Sequence, residues 1–214
     1  MSSRVASGKA RDEMIGTIEE EAGRMARFVG NLLDITKLEA GAVELKRQPT
    51  DLSDVIGVAL RRTEGLLADF EVSLDVEPDL PLLKLDDMLI EQVLVNLLDN
   101  AAKYAPPSST ITITVRKMGG VVRLQMMDEG VGIPEEQLSL IFEKFHRVKS
   151  RDHQRAGAGL GLAICRGFVE AMGGAITAAN RIDRSGAVFT VELPVPGAGL
   201  ILRVLWAAAF KHAG

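Results

Sequence analysis

Four short segments, each rich in asparagine, glycine or phenylalanine, follow one another in a fixed order along the chain. They are NLLDNAAKY at 96–104, DEGVGIP at 128–134, FEKF at 142–145 and GAGLGL at 157–162. None of them is diagnostic alone, but the ordered set is hard to obtain by chance. A chain that carries all four is therefore expected to bring them together around one ligand pocket.

The composition supports a folded core and gives no sign of a nucleic-acid partner. Of the 214 residues, 47% are hydrophobic and 25% are charged, and the formal net charge is −4. This balance is not that of a disordered chain, and there is no long basic run to attract nucleic acid. The single cysteine, Cys165, excludes an internal disulfide framework and fits a reducing compartment, where it is expected to be a small apolar group on a helix.

The first residues show no secretory signal, because no apolar stretch follows them. The longest apolar region, 198–210, is interrupted by Arg203 and is shorter than the roughly 18 to 20 residues that a spanning helix needs. We therefore expect a soluble, cytoplasmic chain. Residues 198–214 are expected to form a tail of unknown structure.

Residues 12–41 predict one long helix, after a disordered start at 1–11 and with Gly41 as its stop. Its apolar residues recur at alternating steps of three and four, as in a coiled-coil seam. They are Ile15, Ile18, Ala22, Met25, Val29 and Leu32. This apolar surface needs a partner, either the chain's own domain or a helical bundle with a second chain. The second alternative is favoured, because the helix lies outside the globular unit.

Residues 42–197 alternate between helical and strand patterns in mixed order. Strands are predicted at 42–48, 70–77, 110–117, 121–127, 175–180 and 187–193, and helices at 51–68, 86–105, 135–142 and 159–172. The Gly119-Gly120 pair predicts a hairpin turn between the third and fourth of these strands. Hairpins outnumber regular βαβ units, so we predict an α+β fold, a two-layer α/β sandwich with helices on one face of a mostly antiparallel sheet.

The helix at 86–105 carries polar residues on one face, since Asn96, Asn100 and Lys103 are spaced four and three residues apart. Two carboxamide oxygens and an ammonium group on one face suit a hydrated Mg²⁺ ion and phosphate oxygens. A polar, solvated helix end is the alternative, and for these residues alone the two are about equally supported.

Asp128 ends a strand pattern and precedes Gly130 and Gly132. A carboxylate here can accept a hydrogen bond from a base amino group, and the glycines let the backbone approach a flat ring closely. The alternative is an ordinary acidic turn, because Asp-x-Gly turns are common.

The glycines at 157, 159 and 161 open a helix, where free backbone N–H groups and the helix dipole suit a triphosphate. No Gly-Lys-Ser/Thr follows, so this is not a Walker A loop, and the dinucleotide-binding alternative is weaker. A flexible linker is the other alternative for a lone Gly-x-Gly-x-Gly.

The segment between the two glycine clusters is predicted to close over phosphates as a lid. Phe142 and Phe145 anchor it, and its cations are Lys144, Arg147, Lys149, Arg151 and Arg155. The alternative is a solvated loop with the two phenylalanines in the core. His146 and His153 are expected on its surface and His212 in the terminal tail, without metal-ligand spacing.

The ordered set resembles the catalytic, ATP-binding half of sensor histidine kinases, whose N, G1, F and G2 boxes it matches. The resemblance covers about 11–196. The stretches 27–41 and 91–106 are most similar to the potassium-sensing KdpD subfamily. The resemblance implies the histidine-kinase and chaperone-ATPase type of ATP-binding fold, with 12–41 as the second helix of a dimerisation hairpin.

The resemblance also implies a role for each matched residue. Asn100 would coordinate Mg²⁺ with Asn96 nearby, Lys103 would touch phosphate, and Tyr104 would lie beside the nucleotide. Asp128 would recognise the adenine amino group, with Gly130 and Gly132 as the wall near the base. The glycines at 157, 159 and 161 would form the far hinge of the lid and the phosphate-facing turn. Ile133, Phe145 and Leu160 complete the implied nucleotide-binding set.

The reaction implied is transfer of the ATP γ-phosphoryl group to a protein histidine and, through a response regulator, signalling in a two-component system. In the related chaperone, MutL and gyrase ATPases, a glutamate that activates water stands where this chain has Asn96, so steady hydrolysis is not expected. None of the three histidines lies in the His-Glu/Asp-Leu-Arg-Thr-Pro-like context of the phosphoacceptor. The acceptor hairpin is therefore expected in trans, with a homodimer through 12–40 possible. A nucleotide-binding or interaction module without kinase activity is the alternative.

Overall fold

The computed structural model describes residues 2–147 and 158–197; the side chains of 2–9, Glu13 and Glu20 lie outside that description. The helices are α1 (Ser2–Glu39), α2 (Leu52–Arg62), α3 (Glu64–Leu67), α4 (Asp87–Tyr104) and α5 (Gly161–Ala171), with short 3-10 turns at Glu135–Gln137 and Leu140–Phe142. The strands are β1 (Gln48–Thr50), β2 (Glu71–Val76), β3 (Leu83–Leu85), β4 (Thr110–Met118), β5 (Val121–Met127), β6 (Ala175–Asn180) and β7 (Ala187–Pro194).

Five strands form the main sheet in the order β2-β4-β5-β7-β6. β2 runs parallel to β4, and every other neighbouring pair in this sheet is antiparallel. A separate antiparallel pair joins β1 to β3. The predicted α+β fold with a mostly antiparallel sheet is confirmed.

One face of the sheet is buried, because alternate residues along the central strands are apolar. Along β5 these are Val122, Leu124 and Met126, while Arg123 and Gln125 between them point to the other face. Helix α4 packs between α2 and α5 and contributes a stripe of buried residues to the same core, namely Ile90, Val93, Leu94, Leu97, Leu98 and Ala101. The result is the two-layer sandwich expected from the alternating pattern.

Helix α4 starts where the sequence predicts, because Asp86 caps it. One carboxylate oxygen of Asp86 accepts from the backbone N–H of Leu89 at 3.3 Å, and the other accepts from that of Lys46 at 2.9 Å. This arrangement satisfies an N–H group that the first turn of a helix leaves free. It fixes α4, and with it the polar face of the first predicted site segment, against the β1–β3 side of the domain.

Several predicted boundaries differ in the structure. The predicted disordered start at 1–11 is wrong for 2–11, because α1 begins at Ser2; no proline intervenes, and Ala6, Lys9 and Ala10 are good helix formers. The strand predicted at 42–48 is instead β1, with Pro49 inside it, which is tolerated because β1 pairs on one side only. The three-residue β3 was not predicted, since it is too short to show a period.

The end of α1 docks on the domain. Ile35 is buried, Leu38 packs against α5 at Gly167, and the Asp34 carboxylate accepts from Gln92 Nε2 at 2.8 Å. Glu39 forms an ion pair with Lys144. Towards the start of the helix the apolar side chains are exposed, among them Met14, Ile15, Ile18, Met25, Phe28, Val29, Leu32 and Leu33. The structure thus realises the own-domain alternative only for the last turns of α1, and a second chain on the rest remains a prediction.

The environment of the single cysteine agrees with the sequence prediction. Cys165 is buried on α5, its thiol lies 3.7 Å from the carbonyl oxygen of Val93, and burial raises its pKa to about 12. It is therefore the small apolar group that was expected.

In the part of the chain that the structure describes, no helix combines the length and apolar character needed to cross a bilayer.

Candidate functional site

A cleft of about 1560 Å³ opens beside α4 and brings most of the predicted site residues together. The predicted residues that line it are Asn96, Asn100, Lys103, Tyr104, Asp128, Gly132, Ile133, Gly159 and Gly161. Residues of α1 between Glu19 and Lys37 form another wall. Three segments far apart in sequence therefore meet at one place, as the ordered motifs predict. Gly157 lies outside the described residues.

The polar face of α4 forms the floor of the cleft. Asn96 and Asn100 are half-buried, and the buried side-chain nitrogen of Asn96 has no oxygen acceptor among the described residues, its polar neighbour being the weakly accepting thiol of Cys165. Lys103 is about one-third exposed and forms an ion pair with Asp99. A buried amide left unsatisfied is costly, so an arrangement of this kind is typical of a surface that completes its hydrogen bonds with a ligand.

Asp128 lies at the end of β5 and is only 4% exposed. Its Oδ1 accepts from the backbone N–H groups of Gly130 at 2.8 Å and Ala187 at 3.2 Å. Burial raises the pKa of this carboxyl above its ordinary value, while the two backbone hydrogen bonds and the Arg181 charge act against that rise. The site therefore holds a buried acceptor in one fixed orientation, facing the cleft.

Gly130 and Gly132 are required by close packing. A Cβ atom on Gly130 would lie 2.6 Å from the carbonyl oxygen of Tyr104 at the end of α4. A Cβ on Gly132 would lie 2.7 Å from Oδ1 of Asn180, and Gly132 has a φ of +76°. Cβ atoms essentially never approach another atom within 3.0 Å, so glycine at these two positions lets the loop after β5 pack closely against Tyr104 and Asn180.

The turn between β6 and β7, residues 181–186, holds this loop and was missed as part of the site. Ser185 donates its hydroxyl to the carbonyl oxygen of Gly130 at 2.6 Å, and Arg181 donates to that of Asp128 at 3.3 Å. Asn180, just before the turn, bonds to both backbone groups of Ile133. The sequence shows only a polar stretch between two strands here, which predicts a connection and no contact.

The phenylalanine segment at 142–145 and the glycine segment at 157–162 contact each other on either side of residues 148–157, which lie outside the described part of the chain. The N–H of Phe145 donates to the carbonyl oxygen of Gly159 at 2.9 Å, and both residues have positive φ, +62° and +69°. Phe145 is 61% exposed and Leu160 is fully buried beneath the start of α5, so neither lines the cleft. The two hinges of the predicted lid are thus joined directly. Lys149, Arg151, Arg155, His153 and His212 lie outside the described residues.

The start of α5 faces Asn96 across the cleft. Gly161 is the first residue of the helix, and a Cβ there would come no closer than 3.9 Å, to the side-chain carbon of Asn96. His146, expected on the surface, is instead half-buried at the cleft, with Nε2 2.6 Å from Oε1 of Gln137. In residues 2–147 and 158–197, no group of three acidic, histidine or cysteine side chains is placed to hold a metal ion.

The raised pKa of Asp128 predicts a pH dependence of stability. In the unfolded chain this carboxyl ionises around its ordinary value of 3.8, whereas in the folded protein it ionises at higher pH because it is buried. The folded state therefore binds the proton more tightly, and the stability that this contributes at low pH is lost as the pH rises from 3.8 through the folded value. We expect Asp128→Asn to remove that loss.

The measurement is the free energy of unfolding in urea for the wild type and Asp128→Asn, between pH 4 and pH 7. The stability of the variant relative to wild type should increase with pH over this window. A constant difference would show that burial does not perturb this carboxyl.

Comparison with known proteins identifies similar domains. Residues 85–197 match the family described as histidine kinase-, DNA gyrase B- and HSP90-like ATPase. The sensor protein KdpD of Clostridium acetobutylicum is 37% identical over 187 residues, which cover 87% of this chain and 21% of that protein. KdpD of Escherichia coli is 40% identical over 188 residues, with the same two shares. The chain thus spans about a fifth of the length of these relatives.

Solved structures of histidine kinases have a similar fold. Full-length ShkA in complex with AMPPNP superposes with a TM-score of 0.72 at 28% identity, over 86% of this chain and 38% of that one. The histidine kinase ThkA in complex with the response regulator TrrA gives 0.67 at 27% identity, over 85% of this chain and 50% of that one. In both superpositions the aligned share of this chain is larger than the share occupied by residues 85–197, so the structural similarity extends beyond the domain that matches the family.

Proposed function

We propose that this chain, which belongs to the histidine kinase-, DNA gyrase B- and HSP90-like ATPase family, transfers the γ-phosphoryl group of ATP to a histidine on a separate hairpin. Its ATP-binding domain is that of a sensor histidine kinase. The observation that carries the proposal is the meeting of the α4 asparagines, buried Asp128 and the start of α5 in one cleft. In this proposal the asparagines would bind the metal ion and phosphates, Asp128 would accept a hydrogen bond from the base, and the first N–H groups of α5 would donate to phosphate oxygens.

At the base end, Asp128 would accept a hydrogen bond from the adenine amino group. Its Oδ1 already accepts from two backbone N–H groups, which leaves the other oxygen to select a donor on the ligand. Ile133 and Tyr104 also line the cleft and would contact the base or sugar. An acceptor fixed in a buried site discriminates strongly between bases, because a mispaired base leaves it unsatisfied.

At the phosphate end, the donor set fits a magnesium ion bound together with the nucleotide. Asn100 offers an amide oxygen in the cleft, the type of ligand that Mg²⁺ prefers, and the amide N–H group of Asn96 one turn earlier could donate to a phosphate oxygen. The ion would neutralise phosphate charge during transfer. Lys103 and the N–H groups at the start of α5 would orient the phosphates, so that catalysis rests on positioning and electrostatics.

Phosphoryl transfer to a protein is favoured over ATP hydrolysis. A general base for water needs a group that accepts a proton, and the α4 side chain one turn before Asn100 is the amide of Asn96. The acceptor would then be a histidine on a hairpin supplied in trans, and a response regulator would receive the phosphoryl group next. The ThkA–TrrA complex supports such a partner by analogy.

Calorimetric titration with ATP, with and without Mg²⁺, tests the proposal on the whole chain. We expect binding that strengthens with Mg²⁺, followed by transfer of label from [γ-³²P]ATP to an added histidine-containing hairpin. Binding without transfer would support the alternative of a nucleotide-binding module. Steady phosphate release without an acceptor would support an ATPase. Absence of binding by the folded chain would refute the pocket.

A further inference from the structure

We infer that Asn180 is a positioning residue for base recognition, which holds the loop after β5 in the place where it meets the nucleotide base. The inference rests on the proposed function, since it assigns the device by which that same site selects adenine. Asn180 is the last residue of β6, 47 positions away from the loop residue that it holds.

Asn180 bonds to the loop as a neighbouring strand would. Its Oδ1 accepts from the N–H of Ile133 at 2.7 Å, and its Nδ2 donates to the carbonyl oxygen of the same residue at 2.7 Å. A carboxamide is the side chain of this size that offers one acceptor and two donors together. Both backbone groups of Ile133 are satisfied in this way, and its side chain is left lining the cleft.

The loop has no slack around this contact. Gly132 lies so close to the amide that a Cβ would be 2.7 Å from Oδ1 of Asn180. At its other end the loop is fixed by Ser185 on the carbonyl oxygen of Gly130 and by Asp128 on the N–H of the same residue. Between these two fixed points Val131 is 89% exposed. Release of Ile133 would therefore free residues 131–133 while Asp128 stays in place.

The expected consequence is a loss of base selectivity that exceeds any loss of stability. Asn180 is half-buried at the end of an edge strand, outside the group of buried core residues. A loop free to move would cease to press the base against Asp128, so the preference for a 6-amino group would fall. Binding of the phosphates depends on α4 and α5, whereas both side-chain hydrogen bonds of Asn180 within the described residues go to Ile133.

The test compares ATP with inosine triphosphate, which carries an oxygen in place of the 6-amino group, by calorimetry in the presence of Mg²⁺. For wild type we expect a clear preference for ATP. For Asn180→Ala we expect the ratio of the two affinities to fall about tenfold, the equivalent of one hydrogen bond. Asn180→Asp keeps the shape but has no donor for Ile133, and it should behave like the alanine variant. Thr177→Ala, an exposed position on the same strand, is the matched control.

Each outcome bears on a different statement. Equal weakening of both nucleotides with an unchanged ratio, or failure of both Asn180 variants to fold, would overturn the inference in favour of a purely structural role. A normal ratio in Asn180→Asp alone would show that the hydrogen bond from the N–H of Ile133 suffices to position the loop and would support the inference, whereas a normal ratio in both variants would overturn it. A wild type that does not distinguish the two nucleotides would instead refute the assignment of Asp128 in the proposed function.

Discussion

Exchange of Asn100 for alanine is expected to weaken Mg²⁺-dependent ATP binding by roughly 10- to 100-fold, the range seen when the surroundings of a bound metal lose a polar group. Asn100 lies half-buried on the cleft face of α4, one turn after Asn96. Magnesium prefers oxygen ligands in a rigid arrangement, and an amide oxygen fixed on a helix provides one. Loss of that oxygen leaves the phosphates to be held by Lys103 and backbone groups alone.

The measurement is the dissociation constant for ATP at several Mg²⁺ concentrations, with thermal unfolding recorded for each variant. Met88→Ala is the control, because Met88 is on the same helix, 71% exposed and away from the cleft. The Asn100→Ala variant should keep its residual Mg²⁺-independent affinity while the gain on adding Mg²⁺ disappears. If the gain is retained in full, Asn100 does not bind the ion.

The elements that hold the site were predictable where their signals are local and long. Helix α4 has a cap at Asp86 and a sustained apolar period, and the β4–β5 hairpin has a Gly-Gly turn. Strand β3 has three residues and no period, so only its pairing with β1 reveals it. The prediction of α1 relied on an apolar period that begins at Ile15, so it missed the helical residues from Ser2 onward, which show no such period.

The site residues divide along the same line. That Asn96, Asn100 and Asp128 line one cleft was predictable, because each belongs to a short contiguous motif. Asn180 and Ser185 were missed because their partners, Ile133 and Gly130, are 47 and 55 positions away. Only the sheet order, with β7 between β5 and β6, places the turn after β6 beside the loop after β5. A contact of this kind depends on tertiary structure and leaves no local period.

Replacement of Gly186 by alanine is expected to be the most damaging single substitution in the 181–186 turn, both to stability and to ATP binding. A Cβ at this position would lie 2.0 Å from the carbonyl oxygen of Asp128, and the φ of Gly186 is +137°. Backbone strain and overpacking each cost about 1 to 3 kcal/mol, so a loss of about 2 to 6 kcal/mol is expected. The turn and the end of β5 must separate, which moves Asp128 away from Ala187.

Gly119→Ala is the matched control, because it separates the cost of the backbone conformation from the cost of the contact. Gly119 also has positive φ, +62°, but a Cβ there would meet nothing within 4 Å. It should lose only about 1 to 2 kcal/mol in urea unfolding and bind ATP normally. If Gly186→Ala loses no more stability than this and keeps its preference for ATP over inosine triphosphate, the base-binding loop does not depend on the turn, and the inference about Asn180 loses its structural basis as well.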